Sequence, residues 1–388
     1  MRATSISTSV EFGLRFVGIW PGLPYGTFTW FMYMTSLLIM MYFEYAYIFN
    51  HFDIDDISNL IDALSIALSC NLGFFKLIFL WLHRRLFYDI LLAMDEDWGD
   101  VLGRDRSVLR IMSHNANLSR RYSNVLIGIN ATAAVCYTAS SFTRHSADPD
   151  ENLNDSLRML PLKMQFPFEA NASPLFELLA FAQFLHVVSI AALVAMINCL
   201  IITLVLHVSG QIDILRRELL AICYDHDSQS DSIVADIRLL ITRHQRIIIF
   251  ADNIEELYSD IALMQFLSNT IVICCIGFTI ISSLTKNGAT VVLLKSAIFY
   301  VAITLEAFIF CFVGEYLSAK SKSIGDAVYE SLWYNMTPAE CRILLFVILR
   351  SQKRLTITAG NIMDLSLEGF TAVMKASASY MSVLHAMY

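Results

Sequence analysis

Six polar side chains recur at helical spacing along an otherwise apolar stretch, residues 360–388: Asp364, Glu368, Thr371, Lys375, Ser379 and Ser382. Steps of three and four residues hold them on one face of a helix. A wet stripe on a bilayer-crossing helix faces water or protein rather than lipid. The chemistry it suits is the passage of ions, so this helix is expected to line a pore. Glu44, Lys76, Glu306 and Glu315 also fall inside apolar blocks, where charge is costly and needs a reason. Each is read first as structural, with Lys76 snorkelling toward the cytosol. Asp62 and Glu177 lie near block ends and read as solvated, and His186 as a hydrogen-bonded packing residue. No Ser/His/Asp, Cys/His or paired-carboxylate grouping has the spacing of a catalytic centre. Walker, GxGxxG and HExxH motifs are absent. The eight cysteines include no CxxC pair, and none falls in an expected outer loop. The sequence therefore predicts no enzyme, no cofactor and no metal.

The elements that position these residues follow from composition. The chain has 388 residues, 56% hydrophobic and 16% charged, where a soluble domain is nearer a quarter charged. The apolar residues come in blocks long enough to cross a hydrocarbon core. The fold class is an all-α membrane protein with seven transmembrane helices, at about 28–50, 57–82, 121–142, 175–207, 262–284, 289–315 and 358–386. The net charge of −8 and the lack of a basic arm give no reason to expect nucleic acid. Residues 1–20 contain Glu11 and Arg15 and no unbroken apolar run, so a signal peptide is not expected. The block beginning near Phe28 would act as an uncleaved anchor.

Of the 27 Lys and Arg, twenty fall in segments that are cytosolic if the N-terminus is inside, and four in outer segments. This bias puts the N-terminus in the cytosol and the C-terminus outside, the reverse of a G-protein-coupled receptor. Residues 143–174 then form the large outer loop. It holds the sequons Asn154-Asp155-Ser156 and Asn171-Ala172-Ser173, candidate glycosylation sites of a pattern that also recurs by chance. Below the membrane, Val208, Ile212, Leu215, Leu219 and Ile222 make one helical stripe. Ile233 to Ile261 make a longer one that includes His244 and Tyr258. Such stripes need a partner, within the subunit or in another. Together 208–261 and 316–357 form a cytosolic anchor. The outer halves of spans 2, 3, 4 and 6 are apolar and aromatic, as a small-ligand cavity requires. Its candidate lining is Leu68, Cys70, Tyr137, Ser140, Phe181, Phe184, Ser296, Phe299 and Tyr300, though the same residue types also make ordinary helix contacts.

The run from Gly314, GEYLSAKSKSIGDAVYESLWYNMTPAECRILLFVILRSQKRLTITAG, passes straight into the last helix. It strongly resembles insect odorant receptors, above all the expanded set of ants, bees and wasps. Gly18-Ile19-Trp20-Pro21 is similar to that family's entry motif, and Phe75-Lys76-Leu77-Ile78 before Arg84-Arg85-Leu86-Phe87-Tyr88 fits its second span. The resemblance covers the whole chain and is most specific over 314–388. It implies an odorant-gated cation channel in the plasma membrane of olfactory neuron dendrites. It further implies a hetero-tetramer with a shared co-receptor, joined through the cytosolic anchor. A small apolar odorant would bind among spans 2, 3, 4 and 6, and the gate would lie at Val383 and Met387. Asp364 and Glu368 would then stand at the cytosolic mouth and draw in permeating cations, with Ser379 and Ser382 along the path; Lys375 has no evident role there. The short 208–260 segment and the ending His385-Ala386-Met387-Tyr388 differ from the co-receptor and point to a ligand-selective subunit. Ser379-Tyr380 keeps only half of the closing pattern of the related gustatory receptors.

A seven-helix G-protein-coupled chemoreceptor is the main alternative. The charge bias, the missing Asn-Pro-x-x-Tyr and the absence of an outer-loop cysteine to pair with Cys136 oppose it. A transporter would show inverted repeats and broken helices, and the sequence has neither.

Overall fold

The computed structural model describes residues 5–52, 57–103, 105–143, 160–170, 172–222, 230–284 and 290–387. Ten α-helices and one two-stranded hairpin account for most of them. A short amphipathic helix, α1 (Thr8–Phe16), is capped by Ser7, whose Oγ accepts from Val10 N at 3.3 Å. Its Val10 and Leu14 are buried. Six long helices follow the expected spans: α2 (Gly26–Asn50), α3 (Ile57–Leu82), α5 (Arg106–Thr143), α6 (Leu175–Ala221), α7 (Ser230–Leu284) and α8 (Thr290–Glu330). Two shorter helices, α4 (Arg84–Leu102) and α9 (Pro338–Gln352), pack beside them. The start of α9 is a capping box: Thr337 Oγ1 accepts from Glu340 N while Glu340 Oε2 accepts from Thr337 N.

Helices α3, α6, α7 and α8 contain stretches long and apolar enough to cross a membrane. The other three spans are less apolar for visible reasons. α2 carries Trp30 and the tyrosines 33, 42, 45 and 47, α5 begins in a polar segment, and the last helix carries Glu368, Lys375 and three serines.

Helices α6 and α7 run well past the expected spans as single rods. Their stripes close on the interior: Val208, Ile212, Leu215, Leu219, Ile237, Ile247, Ile254 and Ile261 are all buried within this one chain. Of the two partners open to those stripes, the chain itself is therefore the one realised. The faces left uncovered in the anchor region are different, with Ile249 on α7 and Leu345, Phe346 and Leu349 on α9 exposed.

The expected last span, 358–386, is corrected at its start. Thr358–Ala359 (β1) pairs antiparallel with Met363–Asp364 (β2), and helix α10 spans Leu367–Met387. Gly360 (φ 59°) and Asn361 (φ 56°) both take the left-handed conformation a tight hairpin turn demands. The β-branched run Thr356-Ile357-Thr358 favours a strand before it. Asp364 thus lies on a strand, opposite Thr358, and not on α10.

Candidate functional site

A cavity of about 130 Å³ opens between α3, α5, α6 and α8, the helices of spans 2, 3, 4 and 6. Its wall is mainly aliphatic and aromatic, and small residues on facing helices (Ala133, Ala134, Ala191, Ala302) leave the space. Tyr137 meets Phe299 edge to face, ring centroids 6.2 Å apart. Leu162, from the segment between α5 and α6, is buried and closes part of the wall. Gln183 holds it from both sides: Leu162 N donates to Gln183 Oε1 at 2.9 Å, and Gln183 Nε2 donates to Leu162 O at 3.3 Å.

Both ends of the cavity are polar. At one, Lys295 Nζ sits 4.1 Å from the centre of the Tyr137 ring and 3.5 Å from Asp62 Oδ2, which Lys163 Nζ also approaches at 3.4 Å. Asp62 is therefore ion-paired, correcting the solvated reading. At the other, Glu306 Oε1 accepts from Lys76 Nζ at 2.5 Å and from Asn198 Nδ2 at 3.2 Å. Lys76 is wholly buried; with Glu306 and Asn198 as partners it does not snorkel.

Of the nine candidate lining residues, the structure brings Cys70, Tyr137 and Phe299 to the cavity wall. Leu68, Phe299 and Tyr300 pack against the cluster formed by Val272, Ile273, Ile276 and Ile303, which turns Leu68 and Tyr300 toward α7. Ser296 is buried away from the wall, Phe184 is half-buried off it, and Phe181 is exposed on the outer flank of α6. Ser140 lies on α5, with its side chain outside the described ones. Leu162, Lys295 and Glu306 are among the wall residues the sequence reading missed as ligand candidates. Only a folded loop reveals the first, and only the helix register reveals the other two.

A second polar group adjoins the wall. Cys70 Sγ lies 3.6 Å from Glu44 Oε1 and 3.8 Å from His186 Nε2, and His186 Nε2 lies 3.9 Å from Glu44 Oε1. All three side chains are buried, and His186 is in hydrogen-bond contact with Cys70, in keeping with a hydrogen-bonded packing residue.

On α10 the stripe divides as its spacing predicts. Glu368, Thr371, Lys375, Ser379, Ser382 and Val383 are exposed, while Gly369, Val373 and Ser377 are buried. Ser377 Oγ donates to Thr270 O on α7 at 3.3 Å, and Phe370 meets Phe308 of α8 edge to face. Met387 lies on the last turn of α10, with its side chain outside the described ones. The hairpin ties this helix to the anchor. Gly360 N donates to Ser259 O at 3.0 Å, and Thr358 Oγ1 donates to Glu255 Oε1 at 2.6 Å. Leu367 N donates to Glu315 Oε2 at 3.4 Å, so the carboxylate of Glu315 faces the N-terminal end of α10, where negative charge is stabilising. A Cβ at Gly314 would stand 2.3 Å from Leu365 O, which explains glycine where α8 passes under the hairpin. Asn154 and Asn171 lie outside the described residues.

The described residues form a helical bundle with apolar stretches long enough to cross a membrane, an apolar cavity and an uncovered polar face on α10. The family model for the 7tm Odorant receptor matches residues 56–378; the chain belongs to that family, which is one of receptors and not of enzymes. It is 26% identical over 243 residues to Odorant receptor 13a of Drosophila melanogaster, a match spanning 59% of this chain and 57% of that receptor. It is 25% identical to Odorant receptor 10 of Aedes albopictus over 73% of this chain and 72% of that one. The fold is similar to that of the insect olfactory receptor OR5 from Machilis hrabei in complex with eugenol, with a TM-score of 0.82 at 12% identity over 98% and 97% of the two chains.

Proposed function

We propose that this chain is the ligand-selective subunit of an odorant-gated cation channel, assembled with a shared co-receptor in the plasma membrane of olfactory sensory neurons. The observation that carries the reading is the pairing of two features. An apolar cavity, walled in part by Leu162 of the loop, lies among α3, α5, α6 and α8, and a polar face of α10 remains uncovered. Four such faces around one axis make a wet path narrowing at Val383 and Met387, and apolar constrictions gate by dewetting. An odorant that binds the open arrangement more tightly shifts the population toward it. The N-terminus is cytosolic and the C-terminus extracellular, in keeping with the Lys and Arg bias. The uncovered apolar residues of α9 supply contact surface to neighbouring subunits. The sequons at Asn154 and Asn171 are carried into this reading as glycosylation sites.

The cavity also bears on the ligand class. A volume of about 130 Å³ is below the ~300 Å³ at which drug-sized pockets begin, which favours a compact volatile over a long-chain hydrocarbon. Tyr137 and Phe299 favour one with aromatic or unsaturated surface. Eugenol, bound by the Machilis receptor, has that character.

The test is expression with and without the co-receptor, recording currents against a panel of compact volatiles under full G-protein blockade. Persistent odorant-evoked current supports the channel reading. Its loss under blockade, with a C-terminal tag stained only after permeabilisation, returns the G-protein-coupled alternative.

A further inference from the structure

Glu44, Cys70 and His186 reach one point from three different helices, α2, α3 and α6. They are 3%, 5% and 6% exposed. Their donor atoms form a triangle with sides of 3.6, 3.8 and 3.9 Å. In a tetrahedral zinc site with Zn–S of about 2.3 Å and Zn–N and Zn–O of about 2.0 Å, donor atoms lie about 3.3–3.6 Å apart. The two sides that meet at Cys70 need to shrink by about 0.1 and 0.3 Å, and the His186–Glu44 side by about 0.6 Å. Glu44 Oε2 is buried with no hydrogen-bond partner among the described residues, a cost a packing cluster does not explain.

We propose that Glu44, Cys70 and His186 bind a zinc-class divalent transition-metal ion. The donor set is the borderline sulfur, nitrogen and oxygen mixture that zinc takes. Charge closes as well. A thiolate and a carboxylate offset the two positive charges, and imidazole is neutral, so the occupied site is neutral in a low-dielectric surround. Binding releases the donors' protons to solvent. Cys70 is itself a wall residue of the cavity, which supplies a route for the ion. Three protein donors leave a fourth tetrahedral position, the pattern of an open site rather than a closed structural one. An ion there joins α2, α3 and α6 beside the cavity and makes its shape depend on metal supply. The site stands whether or not the cavity binds an odorant.

The experiment is cobalt titration of the purified full-length receptor in chelator-free detergent, read by absorbance. One equivalent of Co²⁺ is expected to give a sulfur-to-cobalt charge-transfer band with tetrahedral visible bands, both displaced by Zn²⁺. Cys70→Ser removes the charge-transfer band, and Glu44→Gln and His186→Gln weaken binding by at least about tenfold, the loss that even outer-shell changes bring. No band in the wild type overturns the site, and so does a band undiminished in Cys70→Ser, since other thiols such as Cys136 and Cys341 then hold the ion. X-ray absorption of the zinc-loaded wild type decides independently of how the variants fold. One sulfur with nitrogen or oxygen neighbours supports the site; several sulfurs, or none, sinks it.

Discussion

Lys76 Nζ lies 2.5 Å from Glu306 Oε1, across 230 positions of sequence, with both side chains buried. The pair ties α3 to α8 at one end of the cavity, and Asn198 of α6 bonds both members, at 3.2 Å in each case. Phe310 adds a ring face 5.3 Å from the ammonium. Removing one partner strands the other charge, which costs about 3–5 kcal/mol in buried pairs. Lys76→Met and Glu306→Gln are each expected to lower the thermal midpoint of the purified receptor and its surface level. The double variant Lys76→Met/Glu306→Leu should recover much of the loss. A double variant as unstable as the sum of the singles contradicts the pairing.

Leu162 predicts a shift in tuning. Its side chain closes part of the cavity from a loop, and Gln183 fixes its backbone. Leu162→Ala enlarges the cavity and removes packing on any bound volatile. The concentration for half-maximal current should rise about tenfold for the smallest active odorants, equivalent to about 1.4 kcal/mol, and fall for bulkier analogues. Leu178→Ala, on the exposed flank of α6, serves as the control. Identical dose-response curves for Leu162→Ala and wild type across a size series rule out Leu162 as part of the ligand site.

The reach of the sequence can be judged from these residues. Hydropathy found the helices because apolar blocks are carried by many residues at once. The α10 stripe was legible because its period is local. Lys76 and Glu306 were visible as costly charges, but nothing in the sequence says that they meet, since pairing depends on the rotation of three helices. Asp364 was misplaced because its four-residue spacing to Glu368 imitates a helix. The Gly360-Asn361 turn signal, not the spacing, decides that segment. Phe181 was drawn into the cavity by residue type, although its register on α6 points outward.

His244 predicts a pH effect in the anchor. It is buried on α7, and burial, followed by the nearby charge of Arg350, pulls its pKa down from 6.5 to about 4. The folded chain therefore holds it neutral where the unfolded chain takes up a proton. Stability is complete above about pH 6.5 and declines as pH falls toward 4. Thermal unfolding of the purified receptor at pH 7.5 and 5.0 should show a lower midpoint in acid. His244→Leu should reduce the difference, because the replacement has no proton to bind. An equal acid shift in wild type and variant assigns the effect to other groups.

Val383 carries the prediction for the gate. It is 56% exposed on the same face of α10 as Ser379 and Ser382, so the described residues leave more than half of this apolar side chain uncovered. In the proposed assembly around a central axis, copies of Val383 would exclude water from the path, and loss of that apolar ring would rehydrate it. Val383→Ser, expressed with the co-receptor, should raise the odorant-independent current while odorant sensitivity stays within about threefold, because the cavity lies on other helices. Val373→Ser, on the buried face of α10, is the contrast: it disturbs packing rather than the path and should lower surface expression without opening a leak. Surface biotinylation normalises both currents. If Val383→Ser reaches the surface with an unchanged closed-state leak, the barrier lies elsewhere on the helix. Closing the path at Lys375 instead would be the next arrangement to test, since its exposed ammonium faces the same way and repels cations directly.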